Sequence, residues 1–215
     1  MGLDLQRALK APFALENWGV NTLISGILLL VPFANFIVFG QWLRYLKSVV
    51  MDKENLEKIS GDHFILGAKY VVGGILWWLC AVLPLLIFAM LIPALSLDGG
   101  VSFILIAIGG IWAIFAGILL VPMTILFSMD EKIMTMVAFG RALKFITSNA
   151  GDFWFTVLLS IVIGILYGII IFILQITVIG SILMTFVMVP LYISCYNLYG
   201  QLAKETLKKQ QARTV

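Results

Sequence analysis

The residues of this chain that could do chemistry are few, and their surroundings limit them further. His63, the only histidine, stands beside Asp62 at the entry to an apolar run and has no histidine partner for a metal site. It reads as a solvated interfacial residue. Cys80 and Cys195, the only cysteines, lie inside apolar runs at no metal or redox spacing and read as packing residues. Gly-Lys-Ser/Thr, His-Glu-x-x-His and Gly-x-Ser-x-Gly patterns are absent. No apolar run has an ionisable residue in its middle, where a charge is costly and usually functional. The expectation is a non-enzyme with no catalytic residue, cofactor or metal.

The polar chemistry that remains within apolar stretches is Asn35, Gln41, Thr124, Gln175, Thr177, Ser181, Thr185, Ser194 and Asn197. Such residues suit interhelical or backbone hydrogen bonds; the alternative use is to line a solute path. Pro32, Asn35 and Gln41 form the candidate site. Proline removes a backbone donor and asparagine can cap the helix after it, so a break forms easily there. Broken helices flank the binding sites of many transporters.

The elements that must position these residues are membrane helices. Of 215 residues, 62% are hydrophobic and 12% charged, with mean hydropathy +1.09; soluble domains carry roughly twice that charge. The run Phe153–Ala203 has no Asp, Glu, Lys or Arg. As one helix it would reach about 76 Å, against a hydrocarbon core of about 30 Å. It must cross twice, turning near Gln175–Ser181. Barrel strands alternate apolar and polar residues, and these runs do not. The fold class is therefore all-α: a polytopic helical membrane bundle of three hairpin units with amphipathic surface helices.

In order, residues 1–11 form a surface helix stopped by Pro12, and 18–50 a short hairpin. Residues 64–128 form a second hairpin, 131–149 a second surface helix, 153–203 the third hairpin and 204–215 a tail. The second surface helix carries an apolar stripe of Ile133, Met136, Val137, Gly140 and Leu143 opposite Arg141 and Lys144. The first unit can be one crossing ending at Trp42 or a hairpin breaking at Pro32–Asn35. As a hairpin its pieces, Trp18–Val31 and Phe33–Val50, would reach about 21 and 27 Å. That is short enough to be re-entrant, with the turn packed on the later hairpins and Asn35 bonded to backbone.

An internal echo favours the hairpin. Arg7-Ala8-Leu9-Lys10 recurs as Arg141-Ala142-Leu143-Lys144, each leading to a tryptophan, Trp18 or Trp154. Gly40-Gln41 and Gly200-Gln201 close the two units, and Gly26–Pro32 resembles Gly117–Pro122. With two termini on one side, all 14 basic residues share that side and the opposite face keeps only Asp98. Basic residues stay cytoplasmic, so both termini are expected there, in the cell membrane. Arg7, Lys10, Arg44, Lys47, Arg141 and Lys144 sit at the border, where anionic lipid head groups would be attracted. They are spread along that border rather than clustered on a soluble face, which argues against nucleic acid.

Gly109, Ala113 and Gly117 form one small-residue stripe and Gly164 with Gly168 another. Such stripes let helix backbones approach closely; packing within the bundle is the first expectation and self-association the second.

Ala8-Leu-Lys-x-Pro-Phe13, Asn17-Trp18, Leu28-Leu-Leu-Val-Pro-Phe-x-Asn-Phe36 and Gly40-Gln-Trp-Leu-Arg44 resemble the opening of domain-of-unknown-function family 4013. Arg141-Ala-Leu-Lys144, Asn149-x-Gly-Asp-Phe-Trp154 and Tyr199-Gly-Gln-Leu202 resemble its second half, so the likeness spans about residues 7–203. It implies a bacterial or archaeal multi-pass membrane protein and supplies no catalytic residue. The function expected is a non-catalytic partner, assembly or accessory component of a membrane complex, through a protein partner or self-association. The alternative is a small-solute transporter or lipid-handling protein.

Overall fold

The computed structural model describes residues 3–94, 99–176 and 178–212. Asp98, Thr177 and Arg213 lie outside the described residues. The described residues form α1 (Leu5–Ala14), α2 (Trp18–Leu30), α3 (Asn35–Val50), α4 (Gly61–Ala94) and α5 (Gly99–Asp130). A short 3-10 helix (Ile133–Val137), α6 (Phe139–Ser148), α7 (Ala150–Leu174) and α8 (Val178–Ala212) complete the order. Among them there is no strand. Segments of α4, α5, α7 and α8 are long and apolar enough to span a bilayer: Gly61–Ile87, Gly99–Asp130, Ala150–Leu174 and Ile182–Lys209. The chain is an all-α helical membrane bundle.

α1 begins where the Asp4 carboxylate accepts the Arg7 N–H at 3.0 Å, satisfying an orphan donor of the first turn. Pro12 does not stop it. The helix runs two residues further, because a proline near the end removes a single i→i−4 bond. The chain then turns through 86° into α2, with Asn17 left-handed at φ 54°. α2 ends at Leu30 and α3 starts at Asn35, so the first unit is broken where Pro32 and Asn35 indicated. Phe33 takes the left-handed conformation at φ 66° and is 69% exposed.

α3 is the spine of the packed end. It runs antiparallel to α4 and parallel to α8, and glycines permit both contacts. A Cβ on Gly40 would lie 1.9 Å from the His63 carbonyl oxygen, and one on Gly67 1.7 Å from that of Phe36. On the α8 side, Trp42 stacks on Tyr192 with centroids 4.5 Å apart, and Gly200 lies under Val49. Gly26 of α2 accepts the Phe186 ring, and Gly73 of α4 accepts Met136 of the 3-10 helix. None of the described glycines has positive φ, whereas Asn17, Phe33, Asp52, Glu54 and Glu131 do. Glycine here serves close helix approach rather than turns.

Most of the buried side chains lie toward the end where α4 and α7 begin and α5 and α8 finish, called here the inner end. Apart from Gly109, the buried residues of α5 run from Ala116 to Ser128. Those of α7 run from Phe153 to Ile163. Beyond these, the outer halves of the two long hairpins present apolar side chains such as Phe103, Ile111, Phe172 and Ile179.

Two boundaries differ from the sequence reading. Residues 204–212 are the last turns of α8 rather than a separate tail. Thr206 is buried there, and Lys208 lies 3.5 Å from Glu205 one turn away. The 131–149 segment is two pieces that meet at Ala138. The restart changes phase, so Met136, Ala142 and Phe145 are buried while Gly140 and Leu143 are exposed.

Candidate functional site

The residues singled out at the first hairpin do not converge. Pro32 is exposed with Phe33 at the tip, so the later hairpins do not cover the turn. Asn35 opens α3, and its Oδ1 is buried without a partner instead of bonding backbone. No side chain caps that end of α3, because Ala34 occupies the N-cap position. Gln41 lies nearly two turns on and is fully buried. Its Nε2 donates to the Glu57 carbonyl at 2.9 Å, and its Oε1 accepts from Ser25 Oγ at 3.4 Å. It holds α2, α3 and the 51–60 loop together.

The Gly-Gln echo has the same meaning in both copies. Gly40 and Gly200 each let a second helix approach, and the following glutamine fastens a distant backbone. Gln201 Oε1 accepts the Asp4 N–H at 2.7 Å, and its Nε2 donates to Asn197 Oδ1 at 2.7 Å. Asn197 Nδ2 donates to Tyr45 Oη at 2.9 Å. This chain of bonds ties α3, α8 and the start of α1 through buried groups. Ala8 and Ala142, matched in the other echo, are each fully buried. The echo of Gly26–Pro32 in Gly117–Pro122 has no such counterpart: Pro32 lies between helices, while Pro122 is buried inside α5.

Basic residues gather at the inner end. Arg44 and Lys47 hold Glu131 at 3.2 and 2.9 Å, fastening α3 to the end of α5. Arg141 reaches Asp130 at 2.8 Å. Arg7 pairs with Glu54, Lys204 with Asp52, and Lys209 with Asp152 at 2.6 Å. Lys10 and Lys144 are exposed. Burial alone would raise the Glu131 pKa, but the Lys47 bond with the Arg44 and Lys69 charges outweighs it and holds the carboxyl below its usual range. The Lys204 ammonium likewise lowers Asp52. These clasps give α1, the 51–60 loop, α5, α6 and α8 one shared end.

His63 corrects the sequence reading. It is 2% exposed rather than solvated. Its Nδ1 accepts from Ser60 N at 3.0 Å, and Nε2 faces the Glu57 carboxylate at 3.6 Å. No grouping of His, Cys, Asp and Glu of metal-site size occurs among the described residues. Cys80 and Cys195 are both free thiols.

The small-residue stripes also differ from the first expectation. A Cβ at Gly117, Gly164 or Gly168 would meet nothing within 4 Å, and Ala113 is exposed. Neither stripe as a whole is used inside this chain, although Gly109 is buried. Glycines that do pack closely on another element include Gly26, Gly40, Gly67, Gly73 and Gly200. Gly40 and Gly200 were marked by the repeated Gly-Gln pair and Gly26 by its echo, but Gly67 had only the signal of a lone glycine inside a helical pattern, which does not distinguish it from Gly164.

A family described as a protein of unknown function (DUF4013) matches residues 24–176. That stretch takes in α2 from Ile24 onward, α3, the second hairpin, α6 and all of α7. No curated protein and no solved structure matches.

Proposed function

We propose, since the chain belongs to the DUF4013 family, that this integral membrane protein is a non-catalytic partner or accessory component of a membrane complex. Gly164 and Gly168 carry the proposal: a Cβ at either position on α7 would meet nothing within 4 Å among the described residues. Helix association in a bilayer relies on such faces, because lipid tails supply no hydrophobic drive between helices. The packed inner end fixes the two long hairpins as a frame, and the open face of α7 is where another membrane helix would lie. Orientation belongs to the same proposal: the basic inner end faces the cytoplasm of the cell, with both termini there.

Purification in mild detergent tests the reading. A stoichiometric membrane protein, or a second copy, should accompany the wild type and be lost from Gly164→Leu and Gly168→Leu. Protein that purifies alone and moves solute across vesicles would replace this reading with the transporter one. For orientation, a membrane-impermeant thiol reagent should label Asp98→Cys in intact cells and leave Gln210→Cys silent.

A further inference from the structure

The inner halves of α4, α5 and α8 border an open-sided cavity of about 290 Å³, lined by Tyr70, Thr124, Tyr192, Tyr196, Tyr199 and Gly117 among others. Four tyrosines and Thr124 line it among apolar residues, with Tyr199 also bonded to Ser160 of α7, and no Asp, Glu, Lys, Arg or His lines it. Tyr70 Oη and Thr124 Oγ1 lie 3.2 Å apart, and Tyr192 is held by its stack on Trp42. The walls are therefore fixed and their hydrogen-bonding groups uncharged.

A second space lies further out along α5. An apolar groove between α4 and α5, about 560 Å³, is lined by Leu85, Ala89, Ile106, Gly109 and Ala113. Gly109, Ala113 and Gly117 recur at four-residue spacing on one face of the helix. The first two floor the groove and the third lines the cavity. The stripe thus spans about 12 Å of α5, with the groove at its outer end and the cavity at its inner end.

We infer that this groove and cavity bind one membrane lipid, its tail along Gly109–Ala113–Gly117 and an uncharged, hydrogen-bond-accepting head among the tyrosines. Both spaces lie between spanning helices, so the occupant must come from the bilayer. A phosphate or ammonium head would leave water for a lining without a counter-charge, at high cost. Carbonyl oxygens would instead accept from the phenols. The volume, near the lower limit for ligand sites, suits a ring or a pair of esters. Prenylquinones and diacylglycerols share this chemistry.

The test uses the full chain in phosphatidylcholine nanodiscs, titrated separately with a decyl-substituted benzoquinone and with dioctanoylglycerol. Retained probe is extracted and counted per chain against empty discs. Saturable binding of one or both is expected, and the retained probe identifies the head. Tyr70→Phe and Tyr196→Phe keep the walls but remove a hydroxyl, and each should weaken binding roughly two- to tenfold. Gly117→Leu points into open space, so it should melt like the wild type yet lose binding tenfold or more; Gly164→Leu should bind as the wild type does. Absence of saturable binding for both probes, wild-type binding by Gly117→Leu, or displacement by phosphatidylglycerol would overturn the inference.

Discussion

Replacing Gly67 by alanine adds one methyl group where α4 lies against the backbone of α3. The new Cβ would stand 1.7 Å from the Phe36 carbonyl oxygen and 2.6 Å from its carbonyl carbon. Both are backbone atoms of α3, so no rotamer change relieves the clash and the helices must part. Parting them disturbs Gly40 against His63 on the same seam, and Gln41 with its bond to Glu57. Overpacking costs about 1–3 kcal/mol where side chains can move; here the upper end, about 3 kcal/mol, is expected. For a chain of this size that corresponds to a fall in melting temperature of roughly 6–12 °C. Gly40→Ala should behave alike, and the double variant should cost less than the sum, because one separation relieves both clashes. Gly164→Ala, whose Cβ meets nothing, is the control. Thermal unfolding in detergent, read by tryptophan fluorescence, makes the comparison. If Gly67→Ala melts with the wild type, or Gly164→Ala falls as far, the seam between α3 and α4 is not what holds the inner end together.

The same geometry predicts three further outcomes. Asn197→Leu leaves Tyr45 Oη and Gln201 Nε2 short of a partner, so a loss of about 1–3 kcal/mol is expected, with faster amide exchange in α1 as Gln201 loosens from Asp4. Because Glu131 is held below its usual pKa, its contribution is full above the ordinary glutamate range and is lost as pH falls through the depressed value. The wild type should therefore lose a small advantage over Glu131→Gln below about pH 4, roughly 1 kcal/mol or less at this partly exposed clasp, read from paired melting curves. Asn35→Leu should leave melting unchanged or raise it, since the Asn35 Oδ1 is buried without a bond to lose; a clear fall in melting temperature would mean that oxygen has a partner.

The architecture was legible wherever it depends on composition over long stretches. Charge-free runs longer than a bilayer needs gave the four long helices, and Pro32 with Asn35 gave the break between α2 and α3. The repeated Gly-Gln pair gave two positions where the folded chain does equivalent things. The sequence was silent where the answer depends on which face of a helix meets another. Gly164 and Gly67 look alike as letters, yet only Gly67 has a neighbour, because α3 lies across α4 while a Cβ on Gly164 meets no described residue. His63 looked solvated because its neighbours in sequence are polar; Ser60 and Glu57 fold back over it. The phenol-lined cavity was legible only in fragments, since Tyr70, Thr124 and Tyr192 are far apart in the chain.

The open face of α7 is tested most directly by asking what touches it in the native membrane. In a chain carrying Cys80→Ser and Cys195→Ser, Gly168→Cys can be coupled to a short photoactivated cross-linker and illuminated in intact membranes. A discrete protein adduct, identified by mass spectrometry and absent for Leu23→Cys on α2, is the result expected. Adducts to lipid alone at position 168, with no protein captured, would contradict the proposal that this chain works through helix contact.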